Sequence, residues 1–180
     1  MIDHRRLYVR LLGSAFERLP SALRTFHGAD RCLAAEGTLS VRRGPGPVRS
    51  ALATLLRLPS AGESVLVGVR VYTDGGCEVW ERTFVGARLI SRQWAHAGLL
   101  VEQAGPARFA YRLSAGANGL RFAFARGWLF GIRLPSRCAV RVDARADSAG
   151  DNSWHLHVSV VAPIVGELVR YGGLVRLRSR

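Results

Sequence analysis

Between Val65 and Phe84 the chain alternates, reverses and alternates again. Val65, Val67, Val69 and Val71 recur with period two, the spacing that places side chains on one face of a strand. Asp74-Gly75-Gly76 follows, and glycines at that point supply the positive φ angles of a tight reversal. On the returning strand Glu78, Trp80, Arg82 and Phe84 share a face. Most later segments repeat this format: a short apolar run, a glycine-rich turn, another run.

The candidate strands after the hairpin are Arg88 to Trp94, Leu99 to Gln103, Arg108 to Leu113, Leu120 to Phe124, Ala139 to Ala146, Trp154 to Val161 and Leu168 to Leu177. Phe109, Tyr111 and Leu113 form one inward set, and Leu120, Phe122 and Phe124 another. Gly127 to Arg137 lacks clean periodicity and reads as a loop or bent crossing. Gly116 to Gly119 matches a GxxG loop only formally, because it joins two strands.

Ahead of the hairpin, apolar residues from about His4 to Leu19 fall at helical spacing, with Asp3 as N-cap. Pro20 ends or kinks this helix, and a further turn or two closes at Gly28. A first strand runs from Leu33 to Arg43. Gly44-Pro45-Gly46-Pro47 then opens a second helix with an apolar stripe through Val48, Ala51, Leu52, Leu55 and Leu56, stopped by Pro59. The expectation is an α+β single domain over 1–180. Its helical N-terminal part spans about 4–58 with one early strand, and its β-meander spans about 63–178. Nine to ten strands in one antiparallel sheet curl into a lipocalin-like barrel or a half-barrel, with the two N-terminal helices capping an end or filling the concave side.

Charge restricts the partners less than it first suggests. The net charge is +13, yet all 26 basic residues are arginine, which is the signature of a GC-rich coding sequence. The arginines are spread without a dense run, which argues against nucleic acid as a partner. An anionic membrane under Arg5, Arg6 and Arg10 is the sharper reading of the first helix, and packing on the sheet is the plainer one. Cys32, Cys77 and Cys138 form no C-x-x-C pair and read as reduced, mostly buried thiols. With no leader segment and no run long enough to span a bilayer, the expected location is cytoplasmic, at most peripheral to the inner membrane.

One face of the sheet carries the candidate site. Trp80, Arg82 and Phe84 are expected on the concave side with Phe109, Tyr111 and Phe122. A guanidinium among those rings needs a partner, either Glu102 as a buried ion pair or the anionic head-group of a ligand. His155 and His157 share a strand face at a spacing that can hold a metal, with a third ligand from His96, Asp143 or Glu102. They alternate with Trp154, Leu156 and Val158, which marks them as solvent-facing instead. No phosphate loop, dinucleotide fingerprint or nucleophile elbow occurs, so neither a cofactor nor a catalytic residue is assigned.

Several short runs carry a family resemblance: Leu7 to Pro20, Trp80-x-Arg82-x-Phe84, Gly105 to Phe109, Gly131 to Pro135, Pro163 to Gly166, and Arg170 to Gly173. Together they make the chain similar to the bacterial domain-of-unknown-function family 4166. Arg145 departs from that pattern, where an acidic residue would follow the strand. The resemblance implies no activity or catalytic residues. It does imply a Rossmann-type, dehydrogenase-like partner, because the domain also follows a saccharopine-dehydrogenase-like domain in longer proteins.

The reading that unites these features is non-catalytic binding of a small apolar or amphipathic ligand, lipid or fatty-acyl in kind. Trp80, Phe84, Phe109, Tyr111 and Phe122 would line the cavity, Arg82 would hold an anionic head-group, and Glu102 would be its resting partner. Two alternatives are a basic accessory module for a protein, membrane or nucleic-acid partner, and an enzyme using the same cavity.

Overall fold

The computed structural model describes residues 6–28 and 32–178. Its strands are β1 (Leu33–Arg43), β2 (Gly62–Asp74), β3 (Cys77–Phe84), β4 (Ala87–His96), β5 (Leu99–Ala104), β6 (Ala107–Gly116), β7 (Gly119–Leu129), β8 (Ile132–Arg133), β9 (Arg141–Ser148), β10 (Ser153–Ala162) and β11 (Gly166–Leu177). All pairings are antiparallel. β1 bonds to both β2 and β11, while β7 bonds to both β6 and β9. Ten strands therefore close into a ring, with the short β8 attached to β7 as an extra strand. The sheet is a closed barrel and not a half-barrel.

The Asp74–Gly75–Gly76 reversal is a two-residue turn in which Gly75 and Gly76 have φ 57° and 80°. Its register settles which way the hairpin faces. Val67, Val69 and Val71 lie opposite Phe84, Arg82 and Trp80, so valines and aromatics share the inner face. The stretch expected to be a loop, Gly127 to Arg137, begins as the end of β7 and turns through Phe130–Gly131 into β8. It lacks alternation because β9 borders β7 only from Gly119 to Phe122. Past that point the seam is held by other means, the Phe124 amide donating to Asp143 Oδ1 at 3.2 Å. Phe124 turns out of the inward set, its ring lying beside Gly127.

Among the described residues the helices number three. α1 (Leu7–Leu12) ends at Gly13, whose φ of 54° an α-helix cannot continue, and a 3₁₀ segment (Gly13–Arg18) leads to α2 (Ser21–Gly28). The expected unbroken helix to Leu19 is thus two short pieces; Asp3, His4 and Arg5 lie outside the described residues. α3 (Pro47–Leu55) starts with proline in its first turn, where the missing N–H costs nothing.

α1 and α2 close one end of the barrel. Tyr8, Leu23 and Phe26 are buried in it, and Ser21 Oγ donates to the Asp151 carbonyl of the β9–β10 turn. The apolar stripe of α1 is therefore used in packing. α3 sits at the opposite end, where its Arg49 Nε donates to the Val165 carbonyl of the β10–β11 turn. The described helices include none long and apolar enough to cross a membrane. Cys32 and Cys138 are exposed free thiols and Cys77 is half-buried, which corrects the expectation of mostly buried ones. These cysteines lie at loops and strand starts, where no packed layer covers them.

Candidate functional site

Inside the barrel a cavity of about 170 Å³ remains between the helix plug and α3. The floor is made by Tyr8, Phe26, His27 and Trp154, all buried. Leu56, Leu58, Leu89, Ala104 and Phe109 line the end away from α1 and α2 and are partly exposed. That end is the mouth. All seven residues singled out from the sequence, Trp80, Arg82, Phe84, Glu102, Phe109, Tyr111 and Phe122, face this cavity. They come together because β3, β5, β6 and β7 alternate in register, so one parity of each strand points inward.

The polar centre of the cavity is a closed triad of side chains. Arg82 donates from one terminal nitrogen to Ser91 Oγ at 2.9 Å and from the other to Glu102 Oε1 at 3.1 Å. Ser91 Oγ in turn donates to Glu102 Oε1. The Arg82 and Glu102 side chains are only 19% and 15% exposed, so each ion requires the other. Burial pulls the Arg82 pKa down, but the Glu102 charge outweighs it with help from Tyr171, and the net shift is upward. The guanidinium carbon also lies 5.1 Å from the Trp80 ring centroid, in reach of a cation–π contact.

Around this triad stand polar groups without protein partners. The Tyr111 and Tyr171 hydroxyls make no hydrogen bond among the described residues. Burial raises the pKa of both, so both stay protonated donors near neutrality. His27 Nδ1 is buried and unpartnered, its ring 4.1 Å from that of Tyr8 and 5.6 Å from that of Trp80. Burial lowers the His27 pKa to about 3, so the imidazole is neutral. Tyr8, by contrast, is satisfied, donating to Gln93 Oε1 at 2.8 Å. At the edge of the helix plug Glu78 accepts from Trp80 Nε1 at 3.3 Å. Its pKa rises from 4.5 to about 7 because burial outweighs the favourable contacts of Trp80, Arg6 and the Leu7 amide.

Sequence reasoning missed Tyr8, His27, Ser91, Gln93 and Tyr171. Ser91 and Gln93 are nearly inaccessible while Ile90 between strand neighbours points outward, so β4 inverts the usual apolar-inside pattern. Tyr171 had a usable signal, since it alternates with buried Val169 and Val175 on β11. His155 and His157 are exposed on the outer wall, and the described residues hold no cluster of three metal-ligating side chains. Chemically, the triad can orient a polar head by hydrogen bonds. Ser91 Oγ is fixed between Arg82 and Glu102, with no imidazole in contact to activate it as a nucleophile.

No curated protein and no solved structure matches the chain. The model of one family spans residues 19–175, covering the barrel from the helix plug to the last strand. The chain therefore belongs to the family described as Domain of unknown function (DUF4166).

Proposed function

We propose that the barrel binds a small apolar or amphipathic molecule, its polar head at Arg82, Tyr111 and Tyr171 and its apolar part against Trp80, Phe84, Phe109 and Phe122. The observation that carries this is a protein-lined cavity whose wall holds the Arg82–Glu102 pair, the Tyr111 and Tyr171 side chains and the buried, unpartnered His27 Nδ1. A core that serves stability alone is packed to the density of an organic crystal, and its buried polar atoms are paired. Here the interior keeps a cavity, and His27 Nδ1 on its floor is buried without a partner. Apolar walls with a few convergent polar groups are the usual make-up of a small-molecule site.

Native mass spectrometry of the purified chain, followed by solvent extraction, tests the reading directly. A co-purifying small acid, alcohol or acyl species at one copy per chain is the expected result. Calorimetric titration with short fatty acids and the matching alcohols then follows, and Arg82→Leu should weaken the acids more than the alcohols. An empty protein that takes up neither series would overturn the proposal.

A second reading, a basic docking module, draws on the outer wall. There Arg42, Arg121, Arg145 and Arg170 line a groove with His155 and His157. Steep salt dependence of polyanion binding would favour it.

A further inference from the structure

The two ends of the barrel are tipped with different residues. At the plugged end the turns are Asp74–Gly75–Gly76, Ala97–Gly98, Ala117–Asn118 and the polar stretch 148–152. At the mouth the tips carry Val85, Phe130, Ile132 and Ile164, which are 74%, 73%, 71% and 100% exposed, and Leu55 of α3 is 57% exposed. The other large exposed apolar residues among those described are Val48 on α3, and Leu66, Ile90 and Val161 on the strands of the wall.

Two of these tips are unfavourable for the backbone as well. Phe130 has φ 50° and Ile164 has φ 75°, the left-handed region that L side chains avoid and β-branched ones avoid most. Glycine or asparagine is the ordinary occupant; at the plugged end Gly75, Gly76 and Gly98 take such angles, and the non-glycine residue there is the small Ala97, at φ 48°. A sequence shaped for the fold alone has no reason to put a phenylalanine and an isoleucine there, bare to water.

The rim is also cationic. Arg57, Arg133, Arg137 and Arg141 are exposed at the same end and make no ion pair among the described residues. The nearby carboxylates are Glu63 and Glu167, and Glu167 is already held by Arg170 at 2.6 Å. Apolar tips set among free arginines are the two signals that hold a protein on an anionic bilayer.

We propose that the mouth rim docks on an anionic phospholipid surface. Val85, Phe130, Ile132 and Ile164 enter the headgroup–acyl boundary, and the four arginines lie at the level of the phosphates. Charge selects this occupant over a second copy of the chain, because rim-to-rim packing would bring two sets of unpaired arginines together. The docking does not rest on the cavity being occupied. If both readings hold, the mouth opens toward the bilayer.

The test is co-sedimentation of the full chain with vesicles of phosphatidylcholine alone or mixed with phosphatidylglycerol. Binding is expected only to the mixed vesicles, with release by salt. The double variant Phe130→Gly, Ile164→Gly should bind about tenfold more weakly or less, because two inserting side chains are gone. Its melting temperature should be unchanged or higher, because glycine accepts both backbone conformations. A role in folding alone predicts the opposite, a drop in melting temperature with no change on vesicles, and that result would overturn the proposal. So would wild-type protein that ignores the mixed vesicles, or a dimer in light scattering that the double variant dissolves. Arg82→Leu should leave vesicle binding intact, which separates failure of the rim from failure of the cavity.

Discussion

Removing one member of the Arg82–Glu102 pair should cost far more stability than removing both. In Glu102→Leu the guanidinium keeps its bond to Ser91 and the face of Trp80 but loses its counter-charge in an apolar cavity. In Arg82→Leu the carboxylate keeps only Ser91. Breaking a fully buried pair costs about 3–5 kcal/mol, and replacing it with packed apolar groups is neutral or stabilising. These side chains retain 19% and 15% exposure and keep one hydrogen bond each. A figure of roughly 2–3 kcal/mol per single variant is therefore appropriate. For a chain of this size that lowers the melting temperature by roughly 4–12 °C. The double variant, with two leucines facing a cavity that has room for them, should return to within about 1 kcal/mol of the wild type. Urea denaturation of all four proteins at neutral pH measures the cycle, with m-values checked for constancy. Single variants as stable as the wild type would show that water already reaches the pair. A double variant weaker than either single would show that the ions themselves hold the barrel together.

Three further outcomes follow from the buried titratable groups. Glu78 has a folded pKa of about 7 against 4.5 unfolded, so the folded state holds the extra proton between those values. Its ionisation thus subtracts stability as pH rises from 4.5 through 7, and the penalty is fully relieved below 4.5. Glu78→Gln should accordingly be more stable than the wild type by about 1–3 kcal/mol at pH 8, with the difference vanishing toward pH 4, as read by paired urea melts. His27 works in the other direction, with a folded pKa of about 3, so the unfolded chain takes the proton first as pH falls below 6.5. Wild-type stability should fall by up to about 1.4 kcal/mol per pH unit below 6 from this group, and His27→Phe should remove that slope when melts at pH 4.5 and 7 are compared. Tyr8→Phe leaves Gln93 Oε1 without its buried donor and should cost about 1–3 kcal/mol in thermal melts.

The barrel was legible because strand parity is a local property. The hairpin at Gly75–Gly76 and the alternation of Phe109 with Tyr111 assign inner and outer faces residue by residue, so the aromatics and Arg82 could be grouped before any coordinates. Closure was not legible. It depends on Gly119–Phe122 meeting Ala144–Asp147, a contact between two strands whose own sequences are unremarkable. The helix break at Gly13 was hidden by an apolar spacing that a 3₁₀ segment satisfies about as well as an α-helix over so few residues. Ser91 and Gln93 stayed hidden for a different reason. Period-two reasoning assumes that the inner face is apolar, and β4 turns polar residues inward to meet Arg82 and Tyr8. The residues that break the pattern are those of the candidate site, the place where local rules are expected to give way to function.

Cavity size and charge together narrow what can occupy the barrel. About 170 Å³ is close to the roughly 150 Å³ of an engineered pocket that accepts benzene, and it falls short of the roughly 300 Å³ at which drug-sized sites begin. A single ring or short acyl segment fits within it, and a longer chain has to extend through the mouth past Leu56, Leu58 and Phe109. Arg82 is already neutralised by Glu102. A ligand carboxylate arriving at the same guanidinium would put two like charges at one cation, a situation proteins relieve by holding a proton between them. A neutral head, a hydroxyl or an amide, escapes that conflict and still meets the free hydroxyls of Tyr111 and Tyr171. The resting site thus favours a neutral polar head, or an acid that enters with its proton, over a bare anion. An exposed arginine on the rim, with no carboxylate beside it, is the better contact for a permanent negative charge.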